Sequence, residues 1–384
     1  MVFDLNELFE SLCQLEDKRS KRGRRYQLAL LLLIAVLAKL SGQNQIRAIA
    51  QWAKLRQKEL ANLLGLANAQ MPHPVTWSRI LGKGVDPLAL SGLVSQFLGK
   101  TLQGPGQIPE RGRVLLTIDG KTLRGTIASG QTRGVHLVAV YQPDSGVVLA
   151  QLAVDSKENE IVAAPKILAQ LDLRGMVVVG DAMYCQRQIS AQIVKGGGDY
   201  LWVVKANQKG VLEDLEILYG EAVLPSGCFN TEPTDFEEYE EWDKGHGRVE
   251  RRVITSSSML AGYTPWPHLT QVFKLESWRY DRAGLRSNEV RYGVTSLPRE
   301  VAGPKRLLEL VRGEWGIENG LHYRRDVTLG EDHSQLRLGK APEVNAILNN
   351  LVVGLLMQQG VKNVAEARRK LDYSFSQALF RQQL

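Results

Sequence analysis

From Leu5 to about Leu102 the apolar residues recur at helical spacing, in Tyr26 to Leu40, Ile46 to Leu55 and Leu60 to Leu66, with almost no strand-like alternation. The run Leu28 to Ala38 stays apolar for eleven residues before Lys39 interrupts it. A membrane-spanning helix needs roughly 20, so this run predicts a buried helix. The basic stretch Lys18 to Arg25 precedes it, but the run starts late and ends in Lys39-Leu40-Ser41-Gly42 without a small-residue cleavage site, unlike a secretory leader. Pro72 and Pro74 break the chain before Val75 to Leu81. Gln45 to Leu81 has room for a helix-turn-helix with Thr76, Ser78 and Arg79 early in its recognition helix, and equally for plain helical packing.

The periodicity changes after a Gly- and Pro-rich linker, Gly104 to Gly112. Val114 to Ile118 is a short apolar run closed by Asp119, and Val135 to Tyr141 and Val147 to Val154 flank the turn sequence Pro143-Asp144-Ser145-Gly146. Glu158 to Leu171 then predicts a helix, Met176 to Val179 a buried strand closed by Asp181, Cys185 to Lys195 a helix and Tyr200 to Val204 a further strand. A hairpin leading into βαβα units predicts an α/β fold, a mixed sheet flanked by helices. Between Asn207 and Leu297 the pattern weakens into alternating segments (Val249 to Thr255, Gln271 to Tyr280, Glu289 to Thr295), and helical periodicity returns from Lys305 to Gln359. The chain therefore divides into an N-terminal helical domain over 1–103, the first part of an α/β core over 104–206, a mainly β insertion over 207–298, and the completion of the core with C-terminal helices over 299–384.

Charge sharpens this division. The 384 residues carry a net +7, yet residues 1–100 hold 14 Lys and Arg against seven acids, while 209–243 holds one Lys against 11 acids. A basic chain with one acidic segment fits a polyanionic partner, because each phosphate contact releases counterions. The three cysteines, Cys13, Cys185 and Cys228, lie far apart and none has a His at ligand spacing. That excludes a zinc ribbon or a disulfide framework and fits a reducing cytoplasm. Gly99-Lys100-Thr101 is no phosphate loop, since the earlier glycine would fall at Val94, and no Gly-x-Ser-x-Gly elbow is present.

The candidate chemistry lies in acids. Asp119 and Asp181 each close a buried strand, and a carboxylate at the carboxyl end of a parallel strand projects into the crevice where α/β folds place ligands. Taken singly, each could equally cap a turn. Together they suit Mg²⁺ or Mn²⁺, with two ions about 4 Å apart activating both oxygens of an in-line phosphoryl displacement. Arg312 to Asp326 offers the third acid among Glu314, Glu318 and Asp326, and spacing does not choose between them.

Seven blocks carry a resemblance: the N-terminal Asp17 to Tyr26 with Ala48-Ile49-Ala50-Gln51-Trp52-Ala53; Ile118 to Gly125; Ser156 to Ile161; Gly180 to Gln186; Tyr200 to Gln208; Gly245 to Glu250; and Trp315 to Tyr323. With them the chain resembles the H-repeat-associated bacterial insertion-sequence transposases, of the Asp-Asp-Glu type with a ribonuclease-H-like core. The resemblance implies that Asp119, Asp181 and Glu318 are the catalytic acids and metal ligands, separated by 62 and 137 residues. Glu314 stands where the wider superfamily has Arg, and Arg325 where it has Lys. Glu331 and Asp332 also fit the group, or form a solvated turn.

The resemblance further implies a DNA transposase that uses Mg²⁺, with Mn²⁺ able to substitute. Such an enzyme cuts element ends by hydrolysis and transfers the freed 3′-hydroxyl into target DNA without a covalent protein intermediate. Its partners would be double-stranded DNA and a second copy of the chain on that DNA, with no membrane. Lys121, Arg124, Lys205, Arg248 and Arg312 are candidates for phosphate contacts, as the alternative to a solvated surface. Asn207 and Gln208 suit bases, backbone or a turn cap. Trp315 and Tyr323 suit stacking on an unpaired base or packing in the core. His246 and His322 have no zinc-like partner spacing and receive no metal role. The alternatives are a DNA-binding remnant without catalysis and a ribonuclease-H-like nuclease that cuts without joining.

Overall fold

The structure, a computed structural model, describes residues 4–22, 24–66, 70–100, 113–155, 157–220, 235–245, 247–281 and 284–375. The Gly104 to Gly112 linker, Cys228 and His246 lie outside the described residues. Helices α1 (Leu5–Cys13), α2 (Leu28–Leu40), α3 (Ile46–Leu55), α4 (Gln57–Leu63), α5 (Pro74–Arg79) and α6 (Pro87–Lys100) come first. Strand β1 (Val114–Thr122) and the hairpin β2 (His136–Gln142) and β3 (Val147–Ala153) follow, then α7 (Glu160–Leu168), β4 (Met176–Gly180), α8 (Arg187–Lys195), β5 (Asp199–Val204) and α9 (Lys209–Tyr219). Four long strands, β6 (Glu237–Gly245), β7 (Arg248–Ser257), β8 (Gln271–Asp281) and β9 (Gly284–Thr295), precede α10 (Pro304–Gly313), α11 (Ala341–Gln358) and α12 (Val364–Tyr373).

The nine strands form one sheet in the order β3-β2-β1-β4-β5-β9-β8-β7-β6. β1, β4 and β5 run parallel, while β2 pairs antiparallel with β3 and β5 antiparallel with β9. This is the mixed sheet of an α/β fold that the sequence predicted. The segment that begins at the end of the acidic stretch continues it as an antiparallel meander, β6 to β9. β1 runs past Asp119 to Thr122, so Asp119 lies inside a strand and does not end it.

Two compact units do not follow chain order. One combines Met1–Gly106, Gly120–Asn159 and Ile317–Leu384, and the other Gln107–Asp119 with Glu160–Gly316. In the first, here the helical unit, every residue of α2 is buried. A helix with no polar face gains nothing from a protein surface and must be covered all round. Leu5, Leu8 and Leu12 of α1 and Leu90 and Leu98 of α6 lie in the same core as α2, with Leu348, Leu351 and Val352 of α11. In the second, the strand-rich unit, α10 buries Leu307, Leu308, Leu310 and Val311 with Leu115, Val177, Leu201 and Phe273 of the strands. At the hairpin turn Gly146 holds φ 71, a left-handed conformation that a side chain disfavours.

The helical unit also buries charge. Lys39 of α2 is fully buried and donates to Asn349 Oδ1 at 2.7 Å. Burial pulls its ammonium down from 10.5 to about 7, although Glu331 acts in the opposite sense. Between those two values the unfolded chain holds the proton that the folded chain releases, so stability is expected to rise with pH from about 7 to about 10.5, by up to about 1.4 kcal/mol per pH unit. Urea unfolding across that window checks this: Lys39→Met should flatten the slope, and an unchanged slope would remove Lys39 as its source.

Candidate active site

In the strand-rich unit the parallel pairing of β1 with β4 sets Ile118 opposite Gly180, so the next residues, Asp119 within β1 and Asp181 just past β4, stand at the same level. Gly180 permits the close approach, because a Cβ there would lie 2.7 Å from Ile118 Cγ2. Asp181 caps the short turn Ala182–Tyr184, its Oδ1 accepting from Ala182 N at 2.7 Å and from Lys205 Nζ at 3.0 Å. The Tyr184 hydroxyl donates to Glu160. Burial, then the Glu160 carboxylate, then Asp119 and Asp181 all push the Tyr184 phenol upward, so both aspartates act on this one hydroxyl.

The turn that carries Asp181 is tied down from the next strand's end. Asn207 Nδ2 donates to Ala182 O at 2.8 Å, and Gln208 Nε2 to Cys185 O at 2.8 Å. Lys205, Asn207 and Gln208 thus bracket one aspartate. Cys185 is buried, and burial pushes its thiol up to about 12, which leaves it without nucleophilic character at neutral pH. Burial, with Asp181 next in size, raises the Glu314 carboxyl, offset by Arg291 and Lys205.

In the helical unit Glu318 opens a π-helical turn, Glu318–His322, followed by a second, Arg324–Thr328. Such turns widen a helix where a site needs side chains re-aimed. The Glu318 side chain is 58% exposed and lies 3.1 Å from Nδ1 of His322, which is buried. Burial, then Arg325 and Lys121, lowers the imidazole to about 3, so the ring is neutral at physiological pH. Asp326 takes a different partner: Lys121 Nζ reaches its Oδ2 at 2.5 Å and Asp332 at 3.7 Å. The three acids left open by spacing thus separate, Glu314 facing the charge of Asp181, Glu318 beside His322 and Asp326 paired with Lys121.

Glu331 is buried rather than part of a solvated turn, and it accepts Arg325 Nε at 2.7 Å and Asn349 Nδ2 at 2.7 Å. Arg325 is itself buried, which makes it a structural cation. The remaining candidates are superficial. Arg124 is exposed, 3.7 Å from Asp332; Arg248 pairs with Glu250 at 2.7 Å; Arg312 pairs with Glu241 at 2.6 Å and Asp243 at 3.3 Å. Trp315 and Tyr323 are exposed, 59% and 56%, and not packed in the core. The sequence reading passed over Glu160 and Tyr184, though both stand within blocks that carried the resemblance. It also gave His322 no metal role and did not pair it with Glu318, although their i,i+4 spacing was the available signal.

Residues 110–355 match the family model of the transposase DDE domain, and 9–98 match a domain associated with it. The chain belongs to the DDE transposase family. This transposase is 27% identical over 376 residues to the protein YbfL of Escherichia coli K12, covering 96% of this chain and 94% of that one. It is 31% identical over 265 residues to the H repeat-associated transposase-named protein YhhI of the same strain, covering 67% of each. The solved structure of a piggyBac transposase synaptic complex with hairpin DNA aligns over 99% of this chain and 78% of its own, with TM-score 0.39 and 9% identity. Among the described residues no helix of the transposase is long and apolar enough to cross a membrane.

Proposed function

We propose that this transposase cuts DNA strands at the ends of its own insertion element and joins the freed 3′ ends to target DNA, at a divalent-metal centre built on Asp119, Asp181 and Glu318. The observation that carries the reading is the level placement of Asp119 and Asp181 on adjacent parallel strands. Further support comes from Glu318, whose exposed carboxylate lies 3.1 Å from Nδ1 of His322 on the same helical segment. The carboxylates of Asp119, Asp181 and Glu318 are the oxygen donors that Mg²⁺ or Mn²⁺ takes, and the neutral His322 imidazole is left to orient Glu318. When bound there, the metal supplies Lewis acidity at the phosphodiester and a nucleophile at neutral pH.

The chain's own residues set the stage. Asn207 and Gln208 fix the turn that aims Asp181, and Lys205 neutralises that carboxylate until ligands replace the ion pair. Tyr184 and Glu160 hold one another beside the two aspartates. Lys205, Arg248, Arg312 and Arg124 are the exposed cations within reach of a DNA backbone, and Trp315 offers an exposed ring for an unpaired base. Paired-end chemistry calls for two copies of the chain on the DNA.

The test is incubation with a labelled duplex carrying the DNA that flanks the reading frame. Nicking at the element end is expected in Mg²⁺, lost with EDTA and restored by Mn²⁺. Binding without nicking in any metal would replace this reading with that of a DNA-binding remnant.

A further inference from the structure

The phosphate-contact candidates named by sequence are largely engaged, Lys121 with Asp326, Arg248 with Glu250 and Arg312 with Glu241 and Asp243. A different set of polar groups in the helical unit is not. A cleft of about 630 Å³ lies between the start of α3 (Gln45, Ile46, Arg47), the α5 turn (Pro74, Val75, Ser78) and the segment His333 to Leu336. Its lining contains no carboxylate. Arg47, His333 and Gln335 are exposed. Among the described residues none of their side chains has an intramolecular hydrogen-bond or ion-pair partner, and the same holds for Ser78.

We infer that this cleft is where the duplex flanking the scissile bond docks, with Arg47 as its principal phosphate contact and Gln45, Ser78 and Gln335 as polar contacts beside it. The inference rests on the DNA-cleaving reading above and extends it to a second surface. Charge complementarity is the first argument: a cation and several unspent donors on a wall free of acids suit a polyanion and would leave an acidic or apolar partner unmatched. Continuity with the site is the second. The segment that forms one wall follows Asp332, whose Oδ1 accepts from the Arg124 backbone N at 3.3 Å and stands 3.7 Å from Lys121 Nζ. Arg337, just beyond the wall, donates to Gly125 O at 3.3 Å and Ile127 O at 3.0 Å. A Cβ on Gly125 would lie 2.2 Å from Ser334 O, so the wall is packed directly on the segment that follows β1. The wall is thus tied to Lys121 and Arg124, which follow Asp119 in the chain by two and five residues.

The experiment measures fluorescence anisotropy of a labelled flanking duplex with full-length Asp119→Ala protein, so that cleavage does not interfere, and compares Arg47→Glu with Lys58→Glu in that background. Lys58 is an exposed cation outside the cleft and controls for net charge. Arg47→Glu is expected to weaken binding at least about tenfold and to lower the salt slope by about one, while Lys58→Glu changes affinity less than about threefold. Gln335→Ala, which leaves charge untouched, should weaken the flanking duplex more than a shuffled duplex of equal length. Equal losses for Arg47→Glu and Lys58→Glu, or no loss for Arg47→Glu, overturn the inference. Nicking by the wild-type chain in Mg²⁺ is scored in parallel. An Arg47 effect without wild-type nicking sinks the cleavage reading and spares the cleft; nicking without an Arg47 effect does the reverse.

Discussion

Asp119→Ala is expected to reduce nicking of an element-end duplex by more than about a hundredfold while DNA affinity stays within about threefold of wild type. Loss of a group that merely supports a metal ligand costs about 10- to 100-fold, so loss of a ligand itself should exceed that range. Removing a negative charge from a site that receives phosphates does not weaken docking, which separates a catalytic loss from a binding loss. Asp119 sits only half-buried on β1, so alanine there preserves the strand. Glu318→Gln should behave in the same way, because its exposed carboxylate contributes little to packing. Single-turnover cleavage with anisotropy on the same preparations distinguishes the cases. Undiminished nicking by Asp119→Ala would remove it from the chemistry.

The second large effect is on folding. Glu331→Ala is expected to destabilise the chain by about 3–5 kcal/mol, because it strands the buried Arg325 guanidinium without its counter-charge. The Arg325 and Glu331 side chains are only 1% and 2% exposed, with Nη2 to Oε2 at 2.6 Å, so water does not take the place of the lost carboxylate. Asn349, which donates to Glu331 and accepts from Lys39, loses one side of its bonding as well. Glu331→Gln keeps the shape and one acceptor and should fall between the two. Urea unfolding followed by circular dichroism measures the difference, and a loss below about 1 kcal/mol would show that the pair sits in a wetter environment than its burial implies.

Much of the architecture was legible in short windows of sequence. The fully apolar Leu28 to Ala38 run announced a helix covered on every side, and Val114 to Ile118 and Met176 to Val179 announced buried strands ending near acids. Both readings need only periodicity, which is local. The β meander was legible for the same reason, in the alternation of Val249 to Thr255 and Gln271 to Tyr280. Asp119 was expected to close its strand, but β1 continues through Lys121, whose buried ammonium satisfies Asp326 and Asp332 inside the fold. For Trp315 and Tyr323 the sequence left base stacking and core packing open, and the fold leaves both exposed.

By itself the sequence determined the family, the two buried strands that position Asp119 and Asp181, the order of elements and the uneven charge. Each of these is a property of neighbouring residues or of ordered motifs. Only the tertiary structure decided which charges are spent and which are left to meet a partner. Lys121 finds Asp326 across 205 positions, and Lys39 finds Asn349 across 310. An ion pair forms between residues that folding brings together, and no local pattern encodes that distance. Arg47, at the start of α3, gains its significance because among the described residues no carboxylate pairs with it.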